Sequence, residues 1–211
     1  NCADRTDRNR VQIVGISAIF NIAPALALAK RIKARNPSVH VVLGGSHCEG
    51  EMGIAVLEAA KSVDYVVNGP GEDALPLLVS RIEADDANLE HIPNLVWRRN
   101  GRAHANRGGD LSMSLDDHPF VSYSDWFDQR SQLDPFDRSL ITLPIETSRG
   151  CWYGSRKHCI FCGLNGLTME FRSKSPARAL EEFRRLAAYS PREINATDNI
   201  LDSEYLKTLM P

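Results

Sequence analysis

Short apolar runs alternate with amphipathic stretches through the first ninety residues of the chain. The runs are rich in β-branched residues and predict three buried strands, at 11–17, 39–43 and 63–67. Apolar residues at helical spacing predict three helices, at 23–35, 51–61 and about 75–82. Strands that alternate with helices in this way are typical of parallel sheets with crossover helices, so the pattern predicts an α/β domain.

Each predicted strand ends in a loop of small residues, at 15–17, 44–46 and 69–71. Ligands of parallel sheets bind at the carboxyl ends of the strands, where glycine lets the backbone approach them closely. The alternative is that these glycines only terminate strands, and the loops by themselves leave both interpretations open. No Gly-x-Gly-x-x-Gly motif follows a strand and no Walker A motif is present, so neither nucleotide-binding fingerprint is supported.

The middle of the chain lacks this alternation. The segment Leu95–Trp97 and the polar turn at 98–102 predict a small hairpin. We predict that Trp97 and Trp126 are packing residues of the core or of an interface, because large aromatics are mostly buried. The predicted organisation is a first domain at 1–90, a hairpin and interdomain linker at 91–138, and a second domain at 139–211.

The third segment carries the candidate chemistry. After a predicted strand at 140–146, three cysteines follow in the spacing C-x7-C-x2-C, namely Cys151, Cys159 and Cys162. Three thiolates on one loop are suited to hold three corners of a [4Fe–4S] cluster and leave the fourth iron open. A structural zinc site needs four ligands, and the fourth here would be His158 or a residue beyond this fragment. Zinc and a chance grouping of cysteines remain the alternatives to a cluster.

A helix is predicted after this loop. Ser175 and Pro176 form the usual N-cap and first-turn pair, and the inner face is predicted to carry Leu180, Phe183 and Ala187. A further strand is predicted at 193–197.

Composition and charge narrow the functional class. Hydrophobic residues make up 43% and charged residues 25%, which is ordinary for a globular protein. The 25 basic and 27 acidic residues leave a net charge of −2, so we expect no nucleic-acid or membrane partner. The odd number of cysteines, five, without a secretory signal argues against a disulfide framework. The chain starts at Asn1 without Met and stops at Pro211 after a helix-like stretch, which predicts a fragment of a longer protein.

Three segments, at 146–151, 159–165 and 171–175, resemble radical S-adenosylmethionine (SAM) enzymes. Most of that superfamily uses C-x3-C-x2-C with an aromatic residue before the last cysteine; Phe161 keeps the aromatic, but the first gap here is seven. The wider gap, together with segments 44–50 and 198–202, resembles the branch that matures ribosomally made peptides (RiPPs) and has an N-terminal cobalamin-binding domain.

The resemblance implies the fold and the cofactor sites. The fold would be a truncated flavodoxin-like (cobalamin-binding, Rossmann-like) parallel sheet, followed by the start of a radical SAM partial (β/α) barrel. The three cysteines would ligate the cluster, and SAM would contact Phe161, Asp198 and Asn199. The alternative for the last two is a helix cap before Leu201. Cobalamin would be lined by residues of the three small-residue loops: Ser17, Gly44, Gly45, Gly69, Gly71 and Glu72.

One motif departs from the cobalamin domains that place a histidine on cobalt, since D-x-H-x-x-G is absent. His47 lies at a strand end but does not match that position, so we interpret it as a loop residue. Cys48 is interpreted as a small buried residue rather than a ligand.

The implied activity is reductive cleavage of SAM at a [4Fe–4S] cluster and modification of a ribosomally made precursor peptide, by cobalamin-dependent C-methylation. An electron donor such as flavodoxin or ferredoxin is implied. A cytoplasmic location is implied as well, and the reduced cysteines agree with it. Two alternatives stay open: a radical SAM peptide cyclase or oxidoreductase without cobalamin turnover, and a non-catalytic zinc-containing binding module. They stay open because a fold does not determine a function.

Overall fold

The computed structural model describes residues 12–19, 21–108, 114–132, 140–162 and 169–209. The chain divides into two compact units, Asn1–Leu111 and Ser112–Pro211. The start of the first predicted strand, Cys2 and the end of the cysteine motif at 163–165 lie outside the described residues.

The first unit contains a mixed sheet whose described strands follow the order of the chain. The strands are β1 (Ile13–Ser17), β2 (His40–Gly44), β3 (Tyr65–Val67), β4 (Leu95–Arg99) and β5 (Arg102–Ala105). The helices are α1 (Ile22–Arg35), α2 (Glu51–Ala59) and α3 (Ala74–Glu83), with a 3-10 turn at Ser46–Cys48. Strands β1, β2 and β3 pair in parallel, as predicted, and β4 and β5 are antiparallel.

Both faces of this sheet are covered, because side chains of successive strand residues point to opposite sides. Val41 and Leu43 of β2 pack into one buried cluster, which includes residues of α1 and α2. Val42, between them, packs into a second cluster with Ala74 and Leu78 of α3. Burial on both faces explains why the parallel strands are continuous apolar runs rather than alternating ones.

The hairpin predicted from Leu95–Trp97 and the turn at 98–102 is present as β4 and β5, but its assignment to an interdomain linker is wrong. Strand β4 pairs with β3 through Val66↔Val96 and Val67↔Leu95, so the hairpin extends the sheet of the first unit. Trp97 is half-buried against the second cluster, which confirms its predicted packing role. Its Nε1 donates to Asn106 Oδ1 over 3.1 Å.

The second unit is built around a strand–helix–strand arrangement. Its strands are β6 (Thr142–Ile145), β7 (Ser148–Arg149), β8 (Arg172–Ser173) and β9 (Glu193–Ala196), and its helices are α4 (Ser124–Ser131), α5 (Pro176–Ala187) and α6 (Tyr205–Thr208). Strands β6 and β9 are parallel, with α5 between them along the chain. Ser175 is the N-cap of α5 as predicted, and its Oγ accepts from Arg178 N.

The rest of the predicted linker that the structure describes, residues 114–132, also belongs to a compact unit. Ser175 N donates to Asp116 Oδ1 over 2.8 Å, and Phe127 is buried with Leu143 and Leu186. Trp126 remains 45% exposed, so the packing role predicted for it is taken by its neighbour Phe127.

A buried ion pair lies inside the second unit. Lys174 and Glu182 bond to each other, and their side chains are only 8% and 2% exposed. Tyr205 is 2% exposed, and its hydroxyl donates to Lys174 O over 2.6 Å. Burial raises the pKa of Tyr205 to about 12, so the phenol stays protonated. Within the described ranges, no helix combines the length and apolar character needed to cross a bilayer.

Arg98 of β4 connects the sheet to the end of α2. Its guanidinium donates to Val63 O at 2.5 Å, to Ala60 O at 2.9 Å and to Leu57 O. Carbonyls at a helix C-terminus have no partner within the helix, so this side chain supplies one.

We predict that Arg98→Ala lowers the free energy of unfolding by about 2–3 kcal/mol, because part-buried carbonyls lose a charged donor. Urea denaturation followed by circular dichroism measures the loss. The control is Arg99→Ala, which removes an exposed ion pair with Glu90 and should cost less than about 1 kcal/mol. Equal losses in the two variants would contradict the role assigned to Arg98.

Candidate functional site

Three loops lie together at one edge of the first unit's sheet because parallel strands present their carboxyl ends on the same side. We call them the first loop (residues 17–19), the second loop (44–50) and the third loop (68–72). Ala18 N donates to Gly44 O over 2.7 Å, and His47 N donates to Ala18 O over 3.1 Å. These main-chain bonds bring together the predicted residues Ser17, Gly44 and Gly45.

Gly45 allows the first two loops to approach each other. Its φ is +101°, a conformation that residues with a side chain rarely adopt, and a Cβ there would lie 2.9 Å from Ala18 O. Gly44 is different, because a Cβ at that position would make ordinary contact with Val67. Gly45 therefore has to be glycine, because its φ is positive and a Cβ would not fit, whereas Gly44 meets neither condition.

The third loop is held by two asparagines. Asn68 N donates to Asn94 O over 2.7 Å, and Asn94 Nδ2 donates to Pro70 O over 3.2 Å. Gly69 lies beside the Asn94 side chain. The predicted residues Gly71 and Glu72 follow in the same loop and are half-buried.

Asn68 joins the third loop to the second. Gly50 N donates to its Oδ1 over 2.6 Å, and its Nδ2 donates to Gly50 O over 2.8 Å. Sequence reasoning missed Asn68 and Asn94. The available signal was an asparagine at a strand end next to glycine or proline, a residue type that readily bonds to nearby backbone.

His47 and Cys48 lie in the 3-10 turn of the second loop. Cys48 is fully buried, which confirms its interpretation as a small buried residue. Burial raises the pKa of its thiol to about 11, with a smaller contribution from the Glu49 carboxylate.

The three remaining described cysteines share the loop that follows β7. Gly150 starts this loop with φ +76°, and a Cβ there would overlap Glu170 O. Cys151 N donates to Met169 O over 3.3 Å, and Gly154 N donates to Cys151 Sγ over 3.2 Å. Hydrogen bonds to cysteine sulfur are among the features that set the potential of iron–sulfur clusters.

All three thiols, of Cys151, Cys159 and Cys162, are half-exposed. Cys162 N donates to Cys159 O over 3.0 Å, so the last two form one turn. Within the residues described, no three His, Cys, Asp or Glu side chains converge as metal ligands. Three thiols are the donor type that an iron–sulfur cluster needs. The loop as it stands does not bring the three sulfurs together.

The predicted SAM contacts lie at different places in the second unit. Phe161 is 88% exposed, and Asn199 is also exposed. Asp198 follows β9, and its carboxylate accepts from Thr147 N over 2.7 Å and from Thr147 Oγ1. The helix-cap alternative for Asp198 and Asn199 is wrong, because α6 begins at Tyr205 with Glu204 at its N-cap position.

A pocket of about 430 Å³ lies away from the three loops, at the amino ends of β2 and β3, where it is lined by His40, Tyr65 and Trp97. Its arginines are engaged by the protein, Arg98 with backbone carbonyls and Arg81 with Asp86. None of the predicted site residues lines this pocket.

Comparison with known proteins identifies the first unit. Residues 2–79 match the B12 binding domain family. TokK of Streptomyces tokunonensis, a cobalamin-dependent radical SAM methyltransferase, is 27% identical over 165 residues. That alignment covers 78% of this chain and 23% of TokK. The chain contains a B12-binding domain and is homologous to cobalamin-dependent radical SAM methyltransferases.

Two solved structures share the fold. The radical SAM methyltransferase TsrM from Kitasatospora setae, with cobalamin and a [4Fe–4S] cluster bound, has a TM-score of 0.66 and 20% identity. The cobalamin-dependent SAM radical enzyme OxsB, with aqua-cobalamin and SAM bound, has a TM-score of 0.70 and 18% identity. Each match covers 94% of this chain, but this chain spans only 39% of TsrM and 27% of OxsB.

The three loops of the B12-binding domain fit a cobalamin in two respects. Gly45 lets the second loop pack against the backbone of Ala18, which brings two of the three loops together. Ser46 Oγ, next to it, is buried and has no hydrogen-bond partner among the described residues. An unsatisfied buried hydroxyl is costly, so a ligand that bonds to it would be favoured.

We predict that Gly45→Ala weakens hydroxocobalamin binding at least about tenfold, because a Cβ forces the second loop away from Ala18. A visible-absorbance titration measures the affinity, and thermal unfolding establishes that the variant is folded. The matched control is Gly101→Ala, which has a similar positive φ of +79° but open space around the Cβ. A folded Gly45→Ala variant that binds like the parent would contradict this role.

The described cysteines should differ in the reactivity of their thiols. At pH 8, iodoacetamide should modify Cys151, Cys159 and Cys162 while Cys48 stays unmodified, because the thiolate reacts and a thiol with a pKa of about 11 is ionised to only about one part in a thousand. Burial of Cys48 also excludes the reagent. Peptide mass spectrometry reads the sites, and the urea-unfolded chain, in which Cys48 should also react, is the control. Rapid modification of Cys48 in the folded chain would refute the prediction.

Proposed function

We propose that this chain supplies the cobalamin-binding domain and the cluster-binding loop of a radical SAM enzyme that C-methylates a ribosomally made precursor peptide. The observation that carries the proposal is one chain that joins a B12-binding domain, at 2–79, to a C-x7-C-x2-C loop following a strand of a second unit. The three thiols on this loop are half-exposed and none is in a disulfide.

The proposed cobalamin contacts come from all three loops and are Ser17, Gly44, Gly45, Gly69, Gly71 and Glu72. Gly45 would act by holding the second loop against the first, because a Cβ there would meet Ala18 O. Glycine at such a position favours close approach of two backbone segments, which would set the spacing of the loops that meet the cofactor.

The proposed cluster ligands are Cys151, Cys159 and Cys162, and the proposed SAM contacts are Phe161, Asp198 and Asn199. Thr147 already donates to both carboxylate oxygens of Asp198, which fixes their direction. A carboxylate has further acceptor positions, so it remains able to accept from the amino group of SAM. A bound cluster would supply the electron that cleaves SAM, and a bound cobalamin would supply the methyl group.

The proposed partners are the precursor peptide and an electron donor such as flavodoxin or ferredoxin. The proposed compartment is the cytoplasm, because three accessible thiols stay reduced and free to bind iron in a reducing environment.

The test is anaerobic reconstitution of the chain with iron and sulfide, followed by EPR of the reduced state with and without SAM. We expect a [4Fe–4S]⁺ signal that shifts when SAM binds, because SAM chelates the open iron. Cys151→Ala, Cys159→Ala and Cys162→Ala should each abolish or severely diminish it. Cys48→Ala is the matched control and should keep the signal, since Cys48 is buried in the other unit.

Absence of a cluster together with tight binding of zinc would contradict the proposal and favour the zinc-containing binding module. A cluster that responds to SAM in a chain that binds no hydroxocobalamin would instead contradict the methylation and favour a peptide cyclase or oxidoreductase.

A further inference from the structure

Asn68 makes a reciprocal contact with the backbone N–H and C=O of one residue in the neighbouring loop. Its Oδ1 accepts from Gly50 N over 2.6 Å, while its Nδ2 donates to Gly50 O over 2.8 Å. Both polar ends of the side chain are therefore used on a single residue. Such a two-point contact fixes orientation as well as distance, which a single hydrogen bond does not.

The two ends of this contact have well-defined positions in the domain. Gly50 precedes α2 directly and ends the second loop, which begins at Gly44. Asn68 is the first residue after β3, and its own N–H donates to Asn94 O next to β4. The side chain of Asn68 thus bonds to the second loop, while its backbone bonds to the residue that precedes β4.

The contact complements the main-chain bonds between the first two loops. Ala18 N with Gly44 O, and His47 N with Ala18 O, set the distance between the first and second loops. The side chain of Asn68 sets the distance between the second and third loops in the same way. A substitution of Asn68 removes this link directly, whereas the main-chain bonds between the first two loops use no side-chain atom.

We infer that Asn68 is a positioning residue of the cobalamin site, setting the separation of the second and third loops to which the cofactor binds. The inference rests on the proposed function of these loops. Asn68 acts through Gly50, and no contact between Asn68 and the cofactor is required. A ligand that spans two loops loses affinity when their spacing is no longer preorganised.

The sharpest variant is Asn68→Asp, because aspartate has the same shape. It keeps an acceptor for Gly50 N, but places a carboxylate oxygen where Nδ2 donated to Gly50 O, so an attraction becomes a repulsion. We expect hydroxocobalamin affinity to fall about tenfold or more in a visible-absorbance titration.

Asn106→Asp is the matched control. Asn106 also uses its amide on backbone, donating to Leu89 O and Ile92 O, but this segment belongs to none of the three loops. We expect the control to lower the melting temperature and leave the affinity for hydroxocobalamin within about twofold of the parent. A purely structural role for Asn68 would give the same outcome for both variants.

Hydrogen exchange of the parent chain gives a readout that does not depend on a variant that folds. The Gly50 amide should exchange more slowly when hydroxocobalamin is added, because the cofactor stabilises the closed spacing. Unchanged exchange at Gly50 on binding, or a folded Asn68→Asp variant with parental affinity, would overturn the role of Asn68 and leave the cobalamin site unaffected. A parent chain that binds no hydroxocobalamin would overturn the cobalamin site and the inference together.

Discussion

The close approach of the first two loops at Gly45 is the constraint on which the candidate cobalamin site depends. Parallel pairing of β1 with β2 puts Ser17 opposite Gly44, and the chain then turns so that the next residue lies against Ala18. There is no space there for a Cβ, and the positive φ excludes most other residues. A short polar turn, Ser46–Cys48, follows from that geometry and ends in a fully buried cysteine.

The second unit depends on polar contacts that cross its core. Lys174 and Glu182 neutralise each other in a buried position, and Glu182 also accepts from Val121 N at 3.2 Å. Thr147, at the end of β6, is held by Asp198 after β9, so the carboxyl ends of two parallel strands are joined by a side chain. Buried polar groups cost free energy unless they are paired, and these contacts pair them. The same contacts hold in place the strand ends from which the cysteine loop and the proposed SAM contact extend.

Local sequence signals predicted elements well where one physical cause was dominant. Burial within a few residues accounts for the apolar runs of β1, β2 and β3. Turn and capping chemistry accounts for the hairpin of β4 and β5 and for the helix start at Ser175–Pro176. The inner face of α5 shows where this reasoning ends. Of the three residues predicted on this face, Phe183 packs against the core, whereas Leu180 is 39% exposed. The fully buried residues of the helix are Ala179, Glu182 and Leu186. Glu182 is buried and pairs with Lys174, and no pattern of apolar residues reports such an ion pair.

The sequence by itself determined the parallel α/β sheet, the small-residue loops at its carboxyl edge and the three cysteines whose spacing indicates a cluster. These follow from periodicity, backbone freedom and ligand chemistry, which act over a few residues. Only the tertiary structure decided that the hairpin completes the first sheet and that Asp198 bonds to Thr147 instead of capping a helix. It alone brought Asn68 to Gly50. Each of these is a contact between residues eighteen or more positions apart, and its partner is selected by the packing of whole strands and helices.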